Sequence, residues 1–168
     1  MTESRNPETA ESSPEVTVEQ IMRTDVPQVG PDDSIAVVAS TMVNNAIAGV
    51  PVIENGAIIG IITETDLIAR EAEVETPTSV PFFDAIFYAD AGPDYEEAMR
   101  KVLAVNARQL MSSPVFNIKS YATLGQAATL MIDEGIHTVP VVNDAMELVG
   151  IVTRTDLVRV ISRLENEE

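Results

Sequence analysis

The chain has 168 residues, no cysteine and no tryptophan, and 27 Asp and Glu against 10 Lys and Arg, a formal charge of −17. A hydrophobic fraction of 45% is enough for a packed core in spite of that charge, while the lack of cysteine removes disulfides, thiol catalysis and cysteine-held metals. So few basic residues cannot form the broad cationic face that nucleic acid or an anionic membrane requires, and no apolar run approaches the roughly 18 residues of a membrane span.

Residues 1–15, MTESRNPETAESSPE, carry neither apolar periodicity nor the basic start and apolar stretch of a secretory signal, and are expected to form a disordered acidic tail in a cytoplasmic protein. Residues 16–72 then show a regular pattern. A leading strand is expected near Val26 to Val29. Ser34 is a candidate helix cap ahead of the apolar stripe Ile35, Val38, Ala39, Met42 and Val43. VPVI and IIGIIT read as two short strands joined by the turn ENGA, and a second helix begins after Thr63, with Leu67 and Ile68 expected inward.

An insert follows at residues 73–107. ETPTSVP is expected to be irregular, and DYEEAMRKVLAVNARQLM reads as one helix with Tyr95, Met99, Val102 and Leu103 or Leu110 along one side. Phe82, Phe83, Phe87 and Tyr88 cluster between them, a composition that suits a packed lid or flap better than a ligand platform.

Residues 108–164 repeat the first pattern, and residues 165–168 are expected to be a frayed end. Met22 aligns with Met111 and Pro51 with Pro140 at an offset of 89, and Gly60 aligns with Gly150 and Asp66 with Asp156 at 90. One added residue in the hairpin turn accounts for the change. The second leading strand is expected near Val115 to Ile118. Thr123 caps a stripe of Leu124, Ala127, Ala128, Met131 and Ile132, VPVV and LVGIVT form the second hairpin, and Leu157 and Val158 are expected inward. The fold class is therefore α+β, with two pseudo-symmetric β-α-β-β-α repeats packed into one unit. Met42, Met131 and the second helices are candidates for a dimer face, and the methionines serve equally well as core filler.

The duplicated helix, the (V)PV(I/V) strand and the segments Gly60-Ile61-Ile62-Thr63-Glu64-Thr65-Asp66 and Gly150-Ile151-Val152-Thr153-Arg154-Thr155-Asp156 resemble a tandem pair of CBS domains, a Bateman module, of the stand-alone type. The resemblance covers essentially all of residues 16–164 apart from the insert. It implies a regulatory site for an adenosine-containing ligand (AMP, ADP, ATP or S-adenosylmethionine, with or without Mg²⁺) in clefts between the repeats. Carried over, Asp66 and Asp156 take ribose hydroxyls and Thr63 and Thr153 meet phosphate. Adenine-side candidates are Asp25, Val26 and Ala48 in one cleft and Pro114, Val115 and Thr138 in the other.

The residues themselves suit that chemistry. A carboxylate accepts vicinal hydroxyls, and Thr hydroxyls at a helix start accompany backbone donors for phosphate. T-x-T-D is equally a good helix cap, with Thr63 or Thr65, and Thr153 or Thr155, satisfying unpaired N–H groups. The second repeat carries Arg154 where the first has Glu64, and His137 in GIHTVP where the first has AIAGVP, so an anionic ligand is expected at the second site. Arg154 as a solvated helix residue and His137 as a loop residue are the plainer readings. The acidic charge makes AMP, or a nucleotide with Mg²⁺, easier to accept than free ATP, and the cationic S-adenosylmethionine suits the Glu64 cleft.

No resident metal or cofactor is expected, and a lone histidine without cysteine offers no nucleophilic set for an enzyme. The expected function is a non-enzymatic, homodimeric regulator of a separate enzyme or transporter. A structural or protein-interaction module without a nucleotide is the alternative.

Overall fold

The computed structural model describes residues 15–71, 79–82, 85–88 and 92–166, so most of the expected acidic tail, the start of ETPTSVP and Phe83 lie outside the described residues. In the first repeat a parallel bridge joins Val29 to Val52, and α1 (Ile35–Asn45), β1 (Gly49–Glu54), β2 (Ala57–Thr63) and α2 (Glu64–Arg70) follow. The insert contributes the hairpin β3 (Ser79–Phe82) and β4 (Ala85–Tyr88), then α3 (Gly92–Val102) and the single turn α4 (Ala107–Leu110). The second repeat consists of β5 (Ile118–Lys119), α5 (Leu124–Asp133), β6 (Thr138–Val142), β7 (Leu148–Thr153) and α6 (Arg154–Asn166).

The two hairpins have the same register. Gly49 faces Thr63 and Val52 faces Gly60 across β1 and β2, as Thr138 faces Thr153 and Val141 faces Gly150 across β6 and β7. Each shows one irregularity at the same place, after Val52 and after Val141. The first turn is made by Asn55 and Gly56, both at positive φ, the conformation that a two-residue hairpin with right-handed strand twist demands.

Helix starts are set by short polar side chains. Ser34 Oγ accepts from Val37 N, and Thr123 Oγ1 accepts from Gln126 N while Gln126 reaches back to Thr123 N. The buried stripes are narrower than expected. Ile35, Val38 and Met42 are buried, and so are Ala127 and Met131, but Val43 is 78% and Ile132 75% exposed. Ile68 and Val158 also point outward while Leu67 and Leu157 pack inward. Neighbours on a helix lie about 100° apart, so a helix resting on a sheet buries only one of such a pair. Met42 and Met131 are core filler.

The insert departs from expectation in two places. Residues 79–81 of ETPTSVP belong to β3 rather than to an irregular segment. The single long helix is broken, because Asn106 is extended and its side chain accepts from Gln109 N to start α4 anew. Beyond the second repeat, α6 continues through Glu165 to Asn166, further than the frayed end expected from the sequence.

The main tertiary feature is an exchange of leading segments. Val18, Ile21 and Met22 pack with the core of the second repeat, among Ile118, Val139, Val152 and Leu157. Ala104, Ala107 and Leu110 pack with the core of the first, among Val29, Val38, Val50 and Ile62. The backbone repeats this symmetry. Val18 N donates to Ala122 O and Ala107 N to Asp33 O, and Arg23 and Ser112 form paired bridges with Ile151 and Ile61. Met111 fills the space a Cβ would take at Gly60, with its own Cβ only 2.8 Å away, and Met22 does the same at Gly150 with Cγ at 2.9 Å. Gly60→Ala therefore overpacks this crossing and is expected to cost about 1–3 kcal/mol, or roughly 2–4 °C of melting temperature per kcal/mol. Gly125→Ala, whose nearest neighbour would be Thr123 Oγ1 at 3.7 Å, is the reference in the same thermal melt and is expected to be neutral or stabilising.

Candidate functional site

Each second helix begins where a strand ends, and the turn is built identically twice. Thr63 is extended, and its N–H and Oγ1 both donate to Asp66 Oδ2 at 2.8 Å. Thr153 N and Oγ1 donate to Asp156 Oδ2 at 2.9 and 2.7 Å. The aspartates are buried, at 4% and 5% exposure, while Thr65 and Thr155 are exposed. Backbone bonds from Glu64 N to Ala48 O and from Arg154 N to His137 O tie each turn to the start of the preceding strand pair.

A cavity of about 350 Å³ opens at the first of these turns. Ala48, Thr63, Glu64, Thr65 and Asp66 line one side, and Pro114, His137 and Thr138 line the other, with Ser112 and Phe116. Ile61 and Ile136 add apolar wall. The volume lies within the range of small-molecule sites, as does the mixture of apolar wall and few polar groups. Thr138 Oγ1 is buried without a hydrogen-bond partner in the structure.

This grouping differs from the one expected from the sequence, in which Asp66 is matched with Asp25 and Val26, and Pro114, Thr138 and His137 with Asp156. Asp25 and Val26 do not line the cavity, nor does Val115, and Asp66 shares it instead with Pro114, His137 and Thr138. The crossing of the leading segments is the reason. Ser112 bridges Ile61 of the first repeat, which carries Pro114 to the Asp66 side. Arg154 is also absent from this lining. Its Nε donates to Ile136 O at 3.2 Å and its Nη2 to Met131 O at 3.4 Å, so the guanidinium caps the C-terminal end of α5. His137 thus shares the cavity with Glu64 rather than with Arg154.

Sequence reasoning missed three residues here. Ser112 Oγ donates to Asp66 Oδ1 at 3.4 Å. Phe116, 45% exposed, forms part of the rim. Lys101 of α3 places Nζ 2.8 Å from Asp66 Oδ1 and 3.3 Å from Glu97 Oε1. Burial alone would lower the pKa of that ammonium, but the hydrogen bonds and charges of Asp66 and Glu97 outweigh it and hold the pKa above the ordinary lysine value. The associated stabilisation is complete below the ordinary lysine pKa and is lost only as pH rises through the raised one, so the pair is intact across the neutral range. The corresponding Asp156 Oδ1 accepts instead from Arg159 Nη1 on its own helix at 2.9 Å. That carboxylate borders a separate cavity of about 300 Å³ with Gln20, Ile21, Arg159 and Arg163.

Among the described residues no three His, Asp or Glu gather closely enough to hold a metal ion, and no helix is long and apolar enough to cross a membrane.

A repeated strand-to-helix turn with a buried Thr–Asp pair, opening on a cleft shared between two crossed repeats, defines a paired-repeat cleft protein. Both repeats match the CBS domain family, at residues 18–73 and 107–163, and the chain belongs to that family as a tandem pair. An uncharacterized protein of Methanopyrus kandleri is 30% identical over 146 residues, which cover 86% of this chain but 62% of that protein, so this chain spans less than two thirds of that relative. An uncharacterized protein of Methanocaldococcus jannaschii is 30% identical over 122 residues, covering 68% of this chain and 73% of the relative. Among solved structures, CBSX2 in complex with AMP is similar at a TM-score of 0.67 with 21% identity, covering 89% of this chain and 98% of that one. The CBS domain pair of protein MJ0100, in complex with 5′-methylthioadenosine and S-adenosyl-L-methionine, is similar at 0.63 with 22% identity, covering 89% and 98%. At these identities the likeness is one of fold.

Proposed function

We propose that this chain is a non-enzymatic regulatory module that takes an adenosine-containing ligand in the cleft between Thr63, Asp66, Pro114 and Thr138. The observation that carries this reading is the buried Thr63–Asp66 pair in one cavity lining with an apolar wall and with Thr138, whose buried hydroxyl has no partner. Asp66 is the acceptor for ribose hydroxyls, Ile136, Pro114 and Phe116 form the surface for the base, and Thr63, Thr65 and His137 face the 5′ substituent. The AMP and S-adenosylmethionine complexes of structurally similar CBS pairs support the same ligand class.

Charge narrows the choice within that class. With Glu64 and Asp66 in the lining and Arg154 committed to α5, the cleft favours ligands with at most one phosphate, or a cationic sulfonium, over a free triphosphate. Calorimetric titration with AMP, S-adenosylmethionine and ATP is expected to give the weakest binding for ATP without Mg²⁺, and tighter ATP binding would overturn the charge argument. Thr138→Val removes one unpaired hydroxyl, so it is expected to leave stability nearly unchanged and weaken AMP by about tenfold, the worth of roughly one hydrogen bond. Equal AMP affinity in the variant would remove Thr138 from the site.

Signalling in this reading passes to a separate enzyme or transporter through a homodimer. The outward apolar residues Val43, Ile132, Ile68 and Val158, at matched positions of the two repeats, supply its face.

A further inference from the structure

Asp66 has little acceptor capacity to spare. A carboxylate offers roughly four acceptor positions. Thr63 N and Oγ1 occupy two at Oδ2, and Lys101 Nζ and Ser112 Oγ occupy Oδ1. The Ser112 contact is long at 3.4 Å, whereas the Lys101 contact is a short, charge-assisted one at 2.8 Å. A vicinal diol that is to bond this carboxylate must therefore displace one of these donors, and Lys101 is the one that comes from outside both repeats.

The element carrying Lys101 is suited to release. None of the described α3 side chains is fully buried, and Tyr95, Met99 and Val102 are only half-buried against their neighbours. The lysine side chain, 15% exposed, is the deeper polar tether. Arg100 Nη1 donates to Gln109 O at 2.9 Å and Met111 O at 3.2 Å, which keeps the C-terminal end of α3 attached to the segment leading into the second repeat. Loss of the lysine contact would free α3 from α2 while leaving it hinged there, and an undocked helix of 11 residues is only marginally stable in water.

We propose that Lys101 is a built-in competitor for the ligand's diol at Asp66, so that ligand affinity and the docking of α3 are reciprocally linked. The proposal rests on the adenosine reading of the cleft and adds the residue that sets its affinity and the element that moves. The second repeat lacks this link, since Asp156 is partnered from within its own helix by Arg159.

The test combines AMP titration with hydrogen exchange over residues 92–102 in the wild-type chain, Lys101→Met and Lys101→Gln. Removal of the competitor is expected to tighten AMP binding by about tenfold, the worth of one charge-assisted hydrogen bond. AMP is expected to accelerate α3 exchange in the wild type, and both variants are expected to exchange fast without ligand and show no further response. Equal or weaker AMP binding in both variants, or α3 protection unchanged by saturating AMP, would overturn the linkage and leave the cleft reading intact. No binding of AMP or S-adenosylmethionine to the wild type or to either variant would overturn the cleft reading and the linkage with it. Binding that emerges only in the variants supports both.

Discussion

Asp66→Ala is expected to abolish AMP binding and at the same time to lower stability more than the matched substitution Asp156→Ala. Both variants lose the carboxylate that accepts the threonine N–H at a helix start, a contribution of about 1 kcal/mol. The difference lies in the cation left behind. Arg159 is 71% exposed and returns to water without hindrance, whereas Lys101 is held at 15% exposure with only Glu97 remaining. Breaking a buried pair by removing one partner costs about 3–5 kcal/mol where the other charge stays buried; here release of α3 returns Lys101 to water, so the cost is that of undocking the helix and falls below that range. Asp66→Ala with Lys101→Met is expected to be at least as stable as Asp66→Ala alone, yet remain unable to bind AMP. Denaturant melts and calorimetry on the four chains separate the two roles of one carboxylate. AMP binding that survives in Asp66→Ala would remove the carboxylate from the site.

Leu110→Ala is the second substitution with a large expected effect. Leu110 is fully buried, and it packs among Val29, Val38, Val50 and Ile62 although it lies roughly fifty to eighty residues beyond them in the chain. Truncating a buried leucine costs about 2–5 kcal/mol, from lost transfer energy and the cavity left behind. Hydrogen exchange should show the loss of protection first in α1, β1 and β2, not in the remainder of the second repeat, to which Leu110 belongs in sequence. Preferential loosening of α5, β6 and β7 would contradict the exchanged packing.

The two repeats, their hairpins and their caps were legible because each depends on local chemistry repeated in register. Ser34 and Thr123, the paired glycines Gly60 and Gly150, and the two T-x-T-D turns all sit where the pattern places them. What escaped was tertiary partnership. Nothing between Val18 and Met22 announces that these side chains belong with Val139 and Leu157, since apolar periodicity reports that a face is buried and not against what. The same gap led Asp25 to be grouped with Asp66 in place of Pro114. Lys101 was invisible for a further reason, because a lysine on a polar helix face reads as solvated until a buried carboxylate is found opposite it. Arg154 shows the converse, as its charge suggested a ligand and its geometry satisfies one carbonyl in the last turn of α5 and one in the loop that follows.

The exchanged leading segments also govern the order in which this chain can fold during synthesis. The first repeat lacks Ala107 and Leu110 until the insert and the start of the second repeat have emerged, and Val18 waits for residues as distant as Leu157. Contacts this far apart in sequence slow folding and keep partly built intermediates exposed. A solitary repeat would have to lend its leading segment to another solitary repeat, so the duplicated chain is in effect a segment-swapped pair whose partners were joined by a covalent linker, raising the effective concentration of each for the other. In that light the insert is the tether that keeps each half within reach of the other.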